Sequence, residues 1–388
     1  MVLSQAPGSV RLIFNEPVDL VGRGVRVLGP DGRRAEQGPA RVSASVVSVG
    51  VAATEPGTYL VIWRVVARDT HPARGTFVFS VGHPSSLPGG AAADVGGPGG
   101  SRQGLVLQML ARALHFAGYA LGFGVLAFRR TVLVPLALVA DPLVERRVWR
   151  LIGIGVLALL VAEPVALVAQ TVSLGAGGSG SLDPEAVWGA LDSSFGRVLA
   201  QRLGAAILLW VLIGAARNAR AGSPRTTWPA LLLGVAVALI DGEAAHAIGT
   251  RPPWLGLGVN TLHEAAMGAW VGGLVGVLAV WRAPGVVVDH PQIVSRAARI
   301  ALVSVILLLA TGTVMAFQQL TGLRDLVVTA YGRTLLAKLC VIAAALLLAF
   351  AARRAPADRR SLWWTAEAAL LLSVLVLAGL LVSLPPPV

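Results

Sequence analysis

The chain has 388 residues, of which 55% are apolar and only 13% charged, with a mean hydropathy of +0.73. A charged fraction near one quarter is usual for soluble domains, so this composition points to a membrane protein. The single cysteine, Cys340, excludes a disulfide framework and a thiolate metal cluster, and the formal charge of +12 has to be explained without nucleic acid.

Up to about residue 83 the chain reads as strands. "SVRLIFNEP", "GVRVLG", "ARVSASVVSV" and "TYLVIWRVVA" are rich in Val and aromatics, and turn signals such as "GPDG" (29–32) and "EPGT" (55–58) separate them. The last pairs with "GTFVFSV" around a polar knot, Asp69-Thr70-His71. No segment here has a helical period, so a small all-β antiparallel sandwich or barrel is expected over 1–83. Residues 84–104 contain the Gly-, Pro- and Ala-rich run "PSSLPGGAAADVGGPGGSRQ" and read as a flexible linker.

From 105 to 388 apolar runs of bilayer-crossing length follow one another, predicting an all-α bundle of about eight spans. They are placed at 105–128, 148–173, 198–216, 229–248, 260–281, 297–318, 334–352 and 363–384, and the short run 131–140 is left at the membrane surface. Arginines gather after the odd-numbered spans: Arg129, Arg130, Arg146, Arg147 and Arg150; Arg217, Arg220 and Arg225; Arg282, Arg296 and Arg299; Arg353, Arg354, Arg359 and Arg360. The longest even-numbered loop carries Asp183, Glu185 and Asp192 instead. Odd loops are therefore expected in the cytoplasm, with the β-domain and the C-terminus outside a plasma membrane, and the basic charge is mostly a topology signal. "MVLSQAPGSV" is no signal peptide, so either the first span exports its own N-terminal domain or the true start lies upstream; the second is the expectation.

Asp69 and His71, two residues apart in a bend, offer a carboxylate and an imidazole, a pair suited to Cu(II) or Zn(II). The plainer alternative is an Asp accepting backbone hydrogen bonds in a turn, with an incidental His. Within the spans, His115, His246 and His263 fall at similar depth, and Met267 follows His263 by one helical turn. Thioether with imidazole suits Cu(I), and imidazole alone also accepts Cu(II). Glu264 adjoins His263, Asp241 and Glu243 precede His246, and Glu163 interrupts the second span just before Pro164; together they complete an outward-facing polar vestibule. The plainer alternatives are His hydrogen-bonded to a neighbouring span and Met used for packing. Tyr331, Gly332, Arg333 and Lys338 read as an interfacial anchor opening the seventh span. There is no phosphate-cradling Gly loop, no C-x-x-C and no triad, so neither an enzyme nor an ATP-driven pump is expected.

"VRLIFNEPV" (10–18) and "GTYLVIWRVVARDTHPARGTFVFSV" (57–81) closely resemble the CopC family of periplasmic copper-binding β-sandwiches. The resemblance implies a Greek-key sandwich and Cu(II) ligands at Asp69 and His71, with Arg68 and Thr70 standing where Ser and Gly are usual. It also implies a histidine ligand at the mature N-terminus, and Met1 to Ser9 contain none; His83 reads as a solvated linker residue. "TLHEAAMGAWVGGLVGVLAVWR" (261–282) and "TGTVMAFQQLTGLRDLVVTAYGRTLLAKL" (311–339) resemble the CopD membrane family. Together they imply a copper resistance and homeostasis protein that captures copper outside the cell membrane and imports it as Cu(I) or Cu(II). The partners implied are copper ions, the lipid bilayer and other copper-handling membrane proteins. Two alternatives stay open: a haem-binding electron carrier with axial histidines, and a sensor or delivery partner that transports nothing.

Overall fold

The computed structural model describes residues 1–86, 102–175, 184–218, 224–244, 252–282, 291–385 and 387. The chain forms two compact units, Met1–Leu107 with Leu167–Leu199, and Gln108–Ala166 with Ala200–Val388.

In the first unit seven strands build two sheets. They are β1 (Val2–Leu3), β2 (Ser9–Ile13), β3 (Val18–Leu28), β4 (Glu36–Ser43), β5 (Val46–Val51), β6 (Gly57–Ala67) and β7 (Pro72–Val81). One sheet has the order β1-β7-β6-β3 and the other β2-β5-β4. Alternating side chains of both sheets meet in a core that includes Val10, Val27, Val47, Val61, Val65 and Phe79. Tyr59 stacks on Phe79 with ring centroids 5.1 Å apart. The run "ARVSASVVSV", expected as one strand, is two: Ala44, at φ 54°, turns the chain between β4 and β5. Alternation alone cannot see that turn, because Ser and Ala keep the apolar period going on both sides of it. β3 is broken by a bulge between Leu20 and Val25, where Gly22 and Gly24 have φ of +59° and +70°, a region that glycine enters without steric cost.

The same unit holds the end of α3 (Pro142–Leu174), α4 (Pro184–Leu191) and the start of α5 (Ser194–Asn218). The β3 bulge seats on α4, where Cβ atoms at Gly22 and Gly189 would collide with Glu185 and with the Gly22 backbone respectively. Glu185 accepts from the Arg23 backbone N–H at 3.1 Å and from the Arg26 guanidinium at 3.2 Å.

The second unit is helical. α1 (Arg102–Tyr119) runs through a π-turn, Ala120–Gly124, into α2 (Val125–Phe128), and the apolar span as a whole covers Arg102–Leu136. Then come the main part of α3, most of α5, α6 (Pro224–Glu243), α7 (Pro253–Trp281), α8 (Pro291–Gln319), the short α9 (Asp325–Val328), α10 (Ala330–Arg354) and α11 (Ala357–Ser383). Seven helices among the described residues are long and apolar enough to cross a membrane. α6 occupies the position of the fourth expected span, whose end from 245 onward lies outside the described residues. In the run 131–140, Val132 and Leu133 are fully buried in the main apolar cluster, where a second π-turn, Arg129–Leu133, carries the first helix onward.

α7 packs against the first helix through Gly268, Gly272 and Gly276, spaced four apart on one face. A side chain at Gly124 or Gly272 would run into the backbone of the facing helix, and one at Gly276 into the Phe128 ring. Close helix contact in a membrane depends on such small residues.

Candidate metal centres

The polar knot sits between β6 and β7. Ala67 donates its N–H to the His71 carbonyl and Thr70 donates to the Ala67 carbonyl, both at 2.9 Å, so the bend closes tightly. Asp69 is buried, its Oδ1 accepting from the His71 backbone N–H at 3.1 Å and its Oδ2 lying 3.1 Å from His71 Nδ1. Carboxylate and imidazole are therefore already in contact, and the Asp also makes the backbone hydrogen bond of a plain turn. Thr70 has φ +71°, a left-handed conformation that β-branched residues rarely adopt. Two polar groups of the same unit hold the bend from outside: Gln170 Nε2 donates to the Thr70 carbonyl at 3.1 Å, and Ser194 Oγ to the Ala67 carbonyl at 3.4 Å. His83 is exposed.

In the helical unit the ionisable residues gather around His115, which is buried on α1. Its Nδ1 lies 3.1 Å from Glu163 Oε1 on α3 and its Nε2 lies 2.9 Å from Asp241 Oδ2 on α6. Arg202, on α5, donates from Nε to Asp241 Oδ1 at 2.5 Å. Glu264, on α7, joins them: one ligand atom from each of His115, Asp241 and Glu264 lies within 4.8 Å of the others. Glu264 is 5% exposed, and its Oε1 is buried without a hydrogen-bond partner. One turn beyond His115, the Tyr119 hydroxyl donates to the Gly234 carbonyl at 3.2 Å, a second bond between α1 and α6. Buried polar atoms without partners are uncommon, and one inside a cluster of possible ligands fits a metal ion.

His263 and Met267 lie apart from this group. Neighbouring residues on an α-helix point about 100° apart, so Glu264 faces His115 while His263 faces α8. There His263 Nδ1 meets Thr311 Oγ1 at 2.8 Å. Met267 packs, half-buried, against the apolar cluster. His246 lies outside the described residues. The sequence reading placed histidines at the centre and carboxyls around them; the fold gathers three carboxyls about one histidine. Arg202 was missed altogether. The available signal was an ionisable residue inside the apolar run 198–216, where a charge needs a buried partner.

Residues 1–82 match the CopC domain family, 103–248 the copper resistance protein D-like N-terminal domain, and 291–384 copper resistance protein D. The copper transport protein CutJ of Bacillus subtilis is 26% identical over 402 aligned residues, covering 99% of this chain and 72% of that one. Protein YobA of Escherichia coli is 30% identical over 83 residues, 20% of this chain and 67% of its own. Among solved structures, CopC from Methylosinus trichosporium OB3b matches with a TM-score of 0.20 and 21% identity, over 22% of this chain and 85% of that one. With a CopC β-sandwich, membrane-spanning helices and CopD segments following one another along its length, the chain belongs to the CopC/CopD family of copper-handling membrane proteins.

Proposed function

We propose that this protein captures copper outside the cytoplasmic membrane with residues 1–83 and carries it inward through residues 105–388, with 84–104 as a tether. The observation that carries the reading is the buried group of five ionisable side chains, Glu163, His115, Asp241, Arg202 and Glu264, within helices of a multi-pass membrane protein. Charges at that depth are costly and mark a polar path. The relationship to a copper transport protein along 99% of the chain supports copper as the cargo.

Asp69 and His71 are the capture ligands in this reading, and their N/O chemistry suits Cu(II). His115, His246, His263 and Met267 are the proposed stations in the bundle. The arginine-rich loops after odd-numbered spans support an external β-domain and C-terminus. A permeating ion needs sites strong enough to load and weak enough to release, and separate small ligand sets meet that condition better than one closed cage.

The test is copper accumulation in sealed proteoliposomes by the wild type beside His115→Gln. Accumulation by the wild type that falls at least tenfold in the variant supports the permease. Copper bound without accumulation by either protein overturns transport in favour of a sensor or delivery partner, and a Soret band in the purified protein would favour the haem reading.

A further inference from the structure

The charges buried around His115 do not balance. Three carboxyls, Glu163, Asp241 and Glu264, meet one guanidinium, Arg202, and one imidazole. With that imidazole protonated, ionisation of all three carboxyls leaves the group one positive charge short, so either one carboxyl keeps its proton or a cation binds in its place.

The donor geometry shows where a cation would sit. The candidate ligand atoms of His115, Asp241 and Glu264 lie within 4.8 Å of one another. Donors bound about 2.1 Å from one ion are at most about 4 Å apart, so small side-chain rotations close the site. Each atom that would not bind the ion already has a fixed role. Glu163 Oε1 holds Nδ1 of His115 at 3.1 Å, which leaves Nε2 as the ligand nitrogen, the outer arrangement that metal-binding histidines usually have. Arg202 holds Asp241 Oδ1 at 2.5 Å, leaving Oδ2 turned to His115 Nε2 at 2.9 Å. Glu264 Oε1, buried and without a hydrogen-bond partner, is the ligand atom left open to an ion.

We propose that His115 Nε2, Asp241 Oδ2 and a carboxylate oxygen of Glu264 form a buried site for a divalent first-row cation, Cu(II) when copper is the cargo, with Glu163 and Arg202 as positioning residues. The identity of the cargo rests on the copper reading above; the site itself does not. Its donors are one nitrogen and two oxygens with no sulfur, a set that selects Cu(II) or Zn(II) over Cu(I). Met267, the one thioether expected to bring Cu(I), is not among these three donors and packs, half-buried, against the apolar cluster. The ion takes the place of the hydrogen bond between Nε2 and Oδ2, and the proton held there is released as it binds.

The experiment uses the full chain in lipid nanodiscs, with Asp69→Asn and His71→Gln removing the donors of the strand domain. It is titrated with Cu(II), with Zn(II), and with Cu(I) under reductant, and Cu(II) electron paramagnetic resonance reads the bound donors. One Cu(II) per chain with mixed nitrogen and oxygen coordination is expected, held more tightly than Cu(I). Glu264→Gln should weaken Cu(II) binding at least about 100-fold, and Glu163→Gln about 10–100-fold, with an altered nitrogen hyperfine pattern that a purely structural role would not produce. If Glu264→Gln does not fold, Glu264→Asp, which keeps the charge and retracts the donor, carries the same expectation of weakened binding. Unchanged Cu(II) affinity in folded Glu264→Gln and His115→Gln proteins overturns the site, and so does a preference for Cu(I). Proteoliposome uptake on the same proteins separates this proposal from the transport reading. Binding that responds to the substitutions without uptake sinks transport and sustains the site; uptake indifferent to them sinks the site and sustains transport.

Discussion

At the scale of single residues, Thr70 is the clearest local conflict in the strand domain. A β-branched residue at φ +71° stores strain of about 1–3 kcal/mol. Glycine would remove that strain but loses about 0.5–1 kcal/mol through its freedom in the unfolded chain. Relief is the larger effect, so Thr70→Gly should stabilise the β6–β7 bend by about 1 kcal/mol. Hydrogen exchange of amides in β6 and β7 should slow several-fold; unchanged or faster exchange would mean that the hydrogen bond from Gln170 to the Thr70 carbonyl already compensates the strain. The buried pair Arg202–Asp241 behaves differently. Arg202→Met leaves Asp241 with one cationic partner fewer and should cost about 3–5 kcal/mol, because removing half of a buried pair strands the other half. Adding Asp241→Asn should recover part of that loss, and thermal melting of the four proteins of the cycle measures the coupling. Additive losses would show that the pair contributes nothing as a pair.

At the scale of elements, the glycine stripe of α7 decides how closely it meets the first helix. A Cβ at Gly272 meets backbone atoms of Ala120 and Gly124, which cannot move aside as a flexible side chain would, whereas one at Gly273 meets nothing within 4 Å. Gly272→Ala should therefore destabilise the bundle by about 1–3 kcal/mol or more. Gly273→Ala should be neutral or stabilising by up to about 1 kcal/mol through helix propensity alone. Melting temperatures of the two purified variants compare them directly, and equal effects would refute the close-contact argument. The element pattern also accounts for which site residues were legible beforehand. Asp69 and His71 could be paired from sequence because they lie two residues apart in one bend, and their contact is local. Glu264 and His263 are adjacent in sequence yet serve different neighbours, since the helix turns them toward different helices.

At the scale of the whole molecule, the arginines at helix ends are the basis of the orientation proposed above, and they give it a test. In a Cys340→Ser background, a cysteine at Ser4 should react with a membrane-impermeant maleimide in intact cells, and one at Ala355, between α10 and α11, should not. The reverse labelling pattern would invert the topology and with it the proposed direction of copper movement.

The sequence by itself determined the class of each part. Alternating apolar residues with turn signals define strands, runs of about 20 apolar residues define spans, and the knot with its flanking strands carries the family resemblance; all of these are properties of short, contiguous stretches. What only the tertiary structure decided is the company each buried charge keeps. Glu163, Asp241, Arg202 and Glu264 come from four different helices, and the hydrogen bonds that tie the first three together with His115 join residues 39 to 126 apart in sequence. No local period encodes which face of one helix meets which face of another. That follows from packing, here from the glycine contacts of α7 and the π-turn that resets the first helix just beyond His115. In the low dielectric of the bundle, three carboxyls gathered about one imidazole and one guanidinium are held together by contacts that the chain acquires only when it folds.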